Sequence, residues 1–101
     1  MADKTEHKTI TVELAYPITL DGKQHQSITL QEPDADALMG VNIYSLVQLD
    51  AGEILKMIPR ITKPHITRED AGKLRPANLV LLGAEIAGFF GPPPGKQKSE
   101  Q

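Results

Sequence analysis

The sequence contains no cysteine and no tryptophan, and its 101 residues include only two tyrosines and two phenylalanines. The lack of cysteine excludes a disulfide framework, a thiolate nucleophile and a cysteine-ligated zinc site, and it fits a reducing compartment. The scarcity of aromatic rings leaves few platforms on which nucleic-acid bases could stack. Lysine and arginine number 11 against 13 aspartates and glutamates, so there is no basic surplus to bind nucleic acid or an anionic membrane.

A long apolar run and a targeting segment are also missing. The first eight residues are polar and of mixed charge, unlike a signal peptide. No apolar run approaches the roughly 20 residues that a membrane helix needs. Hydrophobic residues nevertheless make up 40% of the chain, which is enough for the core of one small domain. We therefore expect a single soluble, intracellular domain with no nucleic-acid partner and no membrane partner.

No constellation of catalytic or metal-binding residues can be recognised. The histidines form no spaced pair such as H-E-x-x-H, and no serine lies in a nucleophile-elbow context. The acid pairs stand at predicted helix starts, where capping explains them. We therefore expect no enzyme activity, no catalytic residue, no metal site and no cofactor. The histidines are expected in solvated loops, at His7, His25 and His65.

A β-hairpin is predicted at the start of the folded region. Thr9–Leu14 alternates polar and apolar residues and is rich in β-branched side chains, which is typical of a half-buried strand. The strand continues past Pro17, which cannot donate to a ladder and indicates an edge position or a bulge. A two-residue turn would put the apolar residues of the two strands on opposite faces. The sequence therefore predicts a three-residue loop over 21–23, with a left-handed Gly22, before the returning strand 27–30.

Two helices are predicted in the middle of the chain. The stretch 33–40 begins with proline and acids and ends in glycine, as a short helix does. Asp50 and Glu53 match a capping box, in which the aspartate accepts an orphan N–H and the glutamate reaches back. The helix that follows is expected to end or kink near Ile58, because Pro59 removes a backbone hydrogen bond and crowds the preceding turn.

Further caps indicate where other helices begin. Asn42 is an alternative, earlier cap for the middle helix, and the residues 60–64 are expected to form a connector. Thr67 resembles an N-cap for a brief helix over 67–74. Proline suits the first position of a final helix over 76–90, although Arg75 is a poor cap by residue type.

The final helix is apolar nearly all round. Its strongly polar side chains, Asn78 and Glu85, are seven residues apart and so share one face. Four residues form a core stripe of ordinary width: Leu79, Leu82, Ile86 and Phe90. Four apolar residues lie outside that stripe and are the candidate partner-binding residues: Val80, Leu81, Ala84 and Phe89. A small domain has little left to cover them, and exposed apolar patches typically mark association with a partner or a second copy.

One alternative stays open for this helix. The segment from Tyr44 to Leu49 is itself rich in apolar residues and could cover Val80, Leu81 and Phe89 inside the monomer. Membrane binding is disfavoured, because the run is shorter than a span and lacks a basic polar face.

The chain is therefore predicted to be an α+β protein. An N-terminal antiparallel β-hairpin is followed by three to four short helices packed on it. Residues 1–8 are predicted as a flexible lead, 9–90 as the single domain, and 91–101, with a triple proline and polar residues, as a disordered tail.

Four segments resemble a known family in their sequence and order. They read ITVELAYPITLDGK over 10–23, ITLQEP over 28–33, ILKMIPRIT over 54–62 and LRPANLVLLGAEIAGFF over 74–90. Together they resemble the small tail assembly chaperones of Mu-like and P2-like contractile-tailed phages and prophages.

The resemblance implies a non-enzymatic protein encoded between the tail tube and tape measure genes. Such a protein binds the tape measure protein, keeps it soluble while tube subunits polymerise around it, acts in the host cytoplasm and is absent from the mature virion. Two further interactions are expected, which are self-association, indicated by the apolar surface of the final helix, and binding of the tail tube protein. In several such families a translational frameshift also makes a longer product.

Two other functions remain as alternatives. The first is a small structural or minor tail protein that stays in the virion. The second is a small nucleic-acid-associated regulator, against which the acidic balance weighs.

Overall fold

The computed structural model describes residues 8–91, which form an antiparallel sheet followed by four α-helices. The strands are β1 (Thr9–Leu20), β2 (Lys23–Gln31) and β3 (Thr62–Lys63), and the helices are α1 (Ile43–Val47), α2 (Ala51–Ile61), α3 (Arg68–Ala71) and α4 (Pro76–Gly88). A 3-10 turn, Asp36–Leu38, precedes α1, and the strands lie in the order β1-β2-β3. The predicted α+β class, with a hairpin followed by helices, is confirmed. The predicted lead, apart from Lys8, and the predicted tail from Pro92 onward lie outside the described residues.

One cluster of buried apolar side chains joins the sheet to the helices. Its members are Val12, Leu20, Ile28, Leu30, Leu46, Ile54, Met57, Ile58, Ile61, Ile66, Ala71, Leu82 and Ile86. Among residues 8–91, no helix has the length and apolar character needed to cross a lipid bilayer.

The hairpin turn has two residues, so the predicted three-residue loop is wrong. Leu20 pairs with Lys23, and only Asp21 and Gly22 connect them. Both connecting residues have positive φ, 50° and 78°, as a type I′ turn requires, and Asp-Gly is a favoured sequence for that turn.

A bulge in β1 restores the single apolar face that the turn alone would have lost. Glu13 pairs with Ser27 and Ile18 pairs with His25, so residues 14–17 of β1 lie opposite one residue of β2. The odd number of extra residues returns the apolar side chains of the two strands to one side of the sheet. Pro17 lies within this irregularity, which confirms the bulge that proline indicated.

Helix α4 is fastened to β1 by Asn78. The Oδ1 atom of Asn78 accepts from the backbone N–H of Ala15 at 2.9 Å and of Tyr16 at 3.1 Å, and Nδ2 donates to the Tyr16 carbonyl at 2.9 Å. The bulge leaves these backbone groups without partners in β2, and the buried amide satisfies them. Asn78 is therefore buried, whereas Glu85, two turns further along the same face of the helix, is exposed.

Helix α2 continues through Pro59 to Ile61, so of the two predicted outcomes, an end or a kink near Ile58, the end is wrong. Proline removes one hydrogen bond of the helix, but other contacts hold the residues around it. Ile61 is buried in the core, and Nη1 of Arg60 donates to the carbonyl oxygens of Ala37 and Met39 at 2.7 and 2.9 Å. Tertiary contacts therefore outweigh the local preference of proline to stop a helix.

Residues 62 and 63, predicted as part of a connector, form the third strand. Thr62 pairs with Leu30 of β2 and is buried. Its Oγ1 atom donates to the Ile58 carbonyl at 2.7 Å and accepts from the N–H of Ile66 at 3.2 Å. One hydroxyl therefore joins the end of α2 to the chain beyond β3.

The remaining short helices begin at residues that were predicted as caps, but Asn42 caps a separate helix, α1, and not the middle helix for which it was the alternative. The side chain of Asn42 accepts a backbone N–H at 3.0 Å at the start of α1, and Thr67 does so at 3.0 Å at the start of α3. Helix α3 ends at Ala71, earlier than the predicted end at residue 74. The helix predicted over 33–40 is a short 3-10 segment, because its hydrogen bonds join residues three apart, from the N–H groups of Ala37, Leu38 and Met39 to the carbonyls of Asp34, Ala35 and Asp36.

Candidate partner-binding surface

The side of α4 that faces away from the core is apolar. Leu82 and Ile86 are fully buried, whereas Val80 is 55% and Leu81 38% exposed, and Ala84 is exposed as well. With 3.6 residues per turn, the three exposed positions fall within an arc of about 100°. The helix therefore presents a continuous apolar strip to solvent.

Phe89 differs from the other three candidate residues. It follows the last residue of α4 and packs, partly buried, against the core together with Phe90. In the predicted core stripe, Leu82 and Ile86 are buried, while Leu79 and Phe90 are partly buried. Phe89 therefore lies at the carboxyl end of α4 and gives part of its surface to the core.

Helix α1 packs beside α4 but does not cover the exposed strip. The segment 44–49 itself carries exposed apolar residues, with Tyr44 at 70%, Val47 at 37% and Leu49 at 41%. The segment therefore does not enclose Val80 and Leu81, and the alternative is wrong for these two residues. Five exposed apolar residues from α1, from the turn that follows it and from α4 are together called the α1–α4 face: Tyr44, Val47, Leu49, Val80 and Leu81.

Gly83 allows the end of α1 and the start of α2 to lie close to α4. A Cβ atom at Gly83 would be 2.5 Å from Cδ1 of Ile54 and 3.5 Å from Cδ2 of Leu49. The first distance is shorter than real carbon contacts, so a side chain here would force the Ile54 side chain or the two helices to shift. The glycine therefore determines how near Leu49 lies to α4.

Leu49 has a left-handed backbone, with φ of 66°, at the end of α1. The turn is a Schellman motif, in which the N–H of Leu49 bonds to the Leu46 carbonyl at 2.9 Å and the N–H of Asp50 bonds to the Ser45 carbonyl at 3.0 Å. Glycine usually occupies this position, because a residue with a Cβ atom loses roughly 1–2 kcal/mol there. Leucine places an exposed apolar side chain beside Gly83 instead.

Sequence reasoning did not single out Leu49 as a site residue. The signal in the sequence is that no glycine lies between Val47, where α1 ends, and Asp50, the N-cap of α2. That signal indicates a left-handed residue only once the ends of α1 and α2 are known.

Charged side chains of α2 fix the segment that leads into α1. Oε1 of Glu53 accepts from the N–H of Asn42 at 3.1 Å, and Lys56 bonds to the Gly40 carbonyl at 3.0 Å and to Glu53 at 3.1 Å. The hydrogen bond from the Asn42 N–H is the larger cause, and Lys56 the smaller, that lowers the pKa of Glu53 below its ordinary value.

The predicted capping box at the start of α2 forms only in part. Asp50 accepts the Glu53 N–H at 3.2 Å, as the capping box predicts. Glu53 does not complete the box, because the Asp50 N–H is already bonded within the turn that ends α1.

Two cavities, of about 220 and 380 Å³, lie near the bulge and near the hairpin turn. Arg75 lines the first, makes no cap hydrogen bond, as its type predicts, and stacks over the ring of Tyr16 at 4.3 Å. His25 lies in β2 and is partly buried, so its predicted place in a solvated loop is wrong, whereas His65 is exposed between β3 and α3. Both line the second cavity, and His7 lies outside the described residues. Within residues 8–91, no group of three histidine or acidic side chains is arranged to hold a metal ion.

Comparison with known proteins points to one family. Residues 11–91 match the family described as phage tail assembly chaperone proteins, E, or 41 or 14. Tail assembly protein E of Escherichia phage P2 is 27% identical over 86 residues, which cover 85% of this chain and 94% of that protein. Tail assembly protein E' of the same phage is 26% identical over 84 residues, which cover 83% of this chain and 59% of that longer protein. No solved structure gives a significant match.

Proposed function

This chain belongs to the family of phage tail assembly chaperone proteins, and we propose that it binds the tape measure protein and keeps it soluble while the tail tube assembles. It acts without catalysis in the cytoplasm of the host cell and is absent from the mature virion. The family match and the similarity to tail assembly protein E of phage P2 support this assignment.

The exposed strip of α4 is the observation that carries the proposal. Val80, Leu81 and Ala84 present apolar atoms to solvent on a helix whose other side is buried, and Phe89 adds a partly exposed ring at its end. A chaperone must hold apolar helical segments reversibly. A modest apolar surface that makes many weak contacts meets this requirement better than a few buried charges.

The anchoring of α4 keeps this strip available to a partner. Asn78 ties the first turn of the helix to β1, and Gly83 lets its middle pack closely on Ile54. A helix held at both points can present apolar side chains without turning them inward. The binding residues are therefore placed in advance, which reduces the entropy lost when a partner binds.

Co-expression with the downstream tape measure gene tests the proposed function. The tape measure protein should be recovered in the soluble fraction when this chain is present and in the insoluble fraction when it is absent. Equal recovery in both cultures would contradict the chaperone function.

A double variant tests the proposed binding residues. Val80→Asp with Leu81→Asp puts two charges on the exposed strip, where neither side chain supports the core, and should abolish pull-down of the tape measure protein. Met39→Asp is the matched control, because Met39 is 70% exposed on the 3-10 turn that packs on α2. Full binding of the tape measure protein by the folded double variant would show that α4 is not the binding surface.

Mass spectrometry of purified virions tests the proposed absence from the particle. The chain should be missing or far below the amount of the tail tube protein. A stoichiometric amount would favour the alternative, a minor tail protein that stays in the virion.

A further inference from the structure

We propose that the α1–α4 face binds an amphipathic helix whose apolar stripe is flanked by lysine or arginine. This inference rests on the proposed function and specifies the kind of segment that the chain recognises. It depends on three observations. Helices α1 and α4 pack together and both carry exposed apolar residues, Leu49 after α1 has a left-handed backbone, and the charged residues of these segments are acidic.

The two helices offer a surface of the right size for a helix. Helix α4 has 13 residues, which corresponds to about 20 Å, or between three and four turns. Helix α1 packs alongside it, and Leu49 lies at the junction, close to Gly83. An apolar helix that binds along α4 would contact Val80 and Leu81, and it would also contact Leu49, which lies near the middle of α4.

The backbone of Leu49 is an independent indication that this surface binds a partner. Leucine is held in a conformation that glycine adopts without cost, although 41% of the residue remains exposed. Residues held in sparsely populated backbone conformations cluster at binding and active sites. The exposed side chain of Leu49 is therefore available to contact an apolar partner.

The charged residues of the segments that carry the face are acidic, and the basic residues Lys56 and Arg75 border these segments. Residues 41–55 and 76–91, which contain α1, the junction and α4, include no lysine and no arginine. Their acids are Asp50, Glu53 and Glu85, of which Glu53 is paired with Lys56. Asp50 directly follows Leu49, and Glu85 lies one turn beyond Leu81 on α4. A partner with basic residues beside its apolar stripe is therefore complementary to this face, whereas an acidic one is repelled.

Two designed peptides measure this preference directly. Both have about 18 residues and the same leucine positions, with lysine in the flanks of one and glutamate in the flanks of the other. Fluorescence anisotropy should give a dissociation constant about tenfold lower for the lysine peptide, with the ratio falling at high salt. Equal affinity, stronger binding of the glutamate peptide or no binding of either would overturn the inference.

A pair of charge variants distinguishes the face from general attraction to an acidic protein. Glu85→Lys changes the charge beside the face, and Glu13→Lys makes the same change in net charge at an exposed position of β1. Glu85→Lys should reduce the preference for the lysine peptide severalfold, and Glu13→Lys should leave it nearly unchanged. Equal effects of the two variants would contradict the location.

Variants of Leu49 test the strained residue. Leu49→Gly removes the side chain and suits the left-handed backbone, so it should weaken lysine-peptide binding about threefold or more while the protein stays folded. Leu49→Asn is a second variant, because asparagine also tolerates this conformation. Unchanged peptide binding by both folded variants would refute the role of Leu49.

These experiments can fail separately from the test of the chaperone function. If the tape measure protein stays soluble on co-expression but the peptides show no charge preference, the function stands and the inference about basic flanks is wrong. If the peptides show the preference but co-expression has no effect on solubility, the face binds a helix and the proposed function fails.

Discussion

The Asn78→Ala variant removes every side-chain hydrogen bond between α4 and the bulge of β1. It leaves two backbone N–H groups and one carbonyl oxygen without their partner, at Ala15 and Tyr16. An unsatisfied buried polar group costs about 1–3 kcal/mol, and the exposed side of the bulge lets water satisfy part of this set. We therefore expect the free energy of unfolding to fall by about 2–4 kcal/mol, and the unfolding temperature to fall by roughly 10–25 °C.

Chemical denaturation followed by circular dichroism measures this loss. Asn42→Ala is the matched control, because it makes the same substitution at an exposed cap that accepts one N–H, and it should cost about 1 kcal/mol. A loss for Asn78→Ala no larger than that for Asn42→Ala would refute the reasoning. In that case the bulge and α4 would be held together by apolar packing alone.

Three further predictions concern stability. Gly83→Ala should lower the free energy of unfolding by about 1–2 kcal/mol, because its Cβ atom would lie 2.5 Å from Cδ1 of Ile54. Gly88→Ala, whose Cβ atom meets nothing within 4 Å, should raise it by about 0.5 kcal/mol, and equal effects would contradict the close packing at Gly83. Ionised Glu53 adds stability above the pH at which a free glutamate titrates, and this is lost as the pH falls through its lowered pKa in the folded state. Denaturation at a series of pH values should therefore show a smaller loss in acid for Glu53→Gln, and identical profiles would exclude this contribution. Leu49→Gly should keep the free energy of unfolding within about 1 kcal/mol of the parent, because relief of the left-handed backbone offsets lost contacts; a larger loss in denaturation would show that the leucine is mainly structural.

Local signals were sufficient for elements whose partners lie close in sequence. Asn42, Asp50 and Thr67 each accept the N–H of the residue three positions later, so spacing and residue type identify them as caps. The exposure of Val80 and Leu81 could also be predicted, since α4 has more apolar residues than one side of a helix can bury.

Features that depend on distant residues could not be predicted from local patterns. The requirement that the apolar residues of both strands share one face was valid, but the extra residues that satisfy it lie in a bulge several positions before the turn. The partners of Asn78 are 62 and 63 residues away, so nothing near it in the sequence indicates that it is buried. Helix α2 passes Pro59 because Ile61 is buried and Arg60 is held by the 3-10 turn region. Leu49 depends on a backbone angle and on its nearness to Gly83, which are properties of the folded chain.

Methyl NMR spectra of this chain, alone and in complex with the tape measure protein, test most directly whether α4 is the binding surface. We predict the largest changes in the signals of Val80 and Leu81 and small changes at Val12, which is buried in β1. Unchanged Val80 and Leu81 signals, with changes confined to the sheet, would contradict the account.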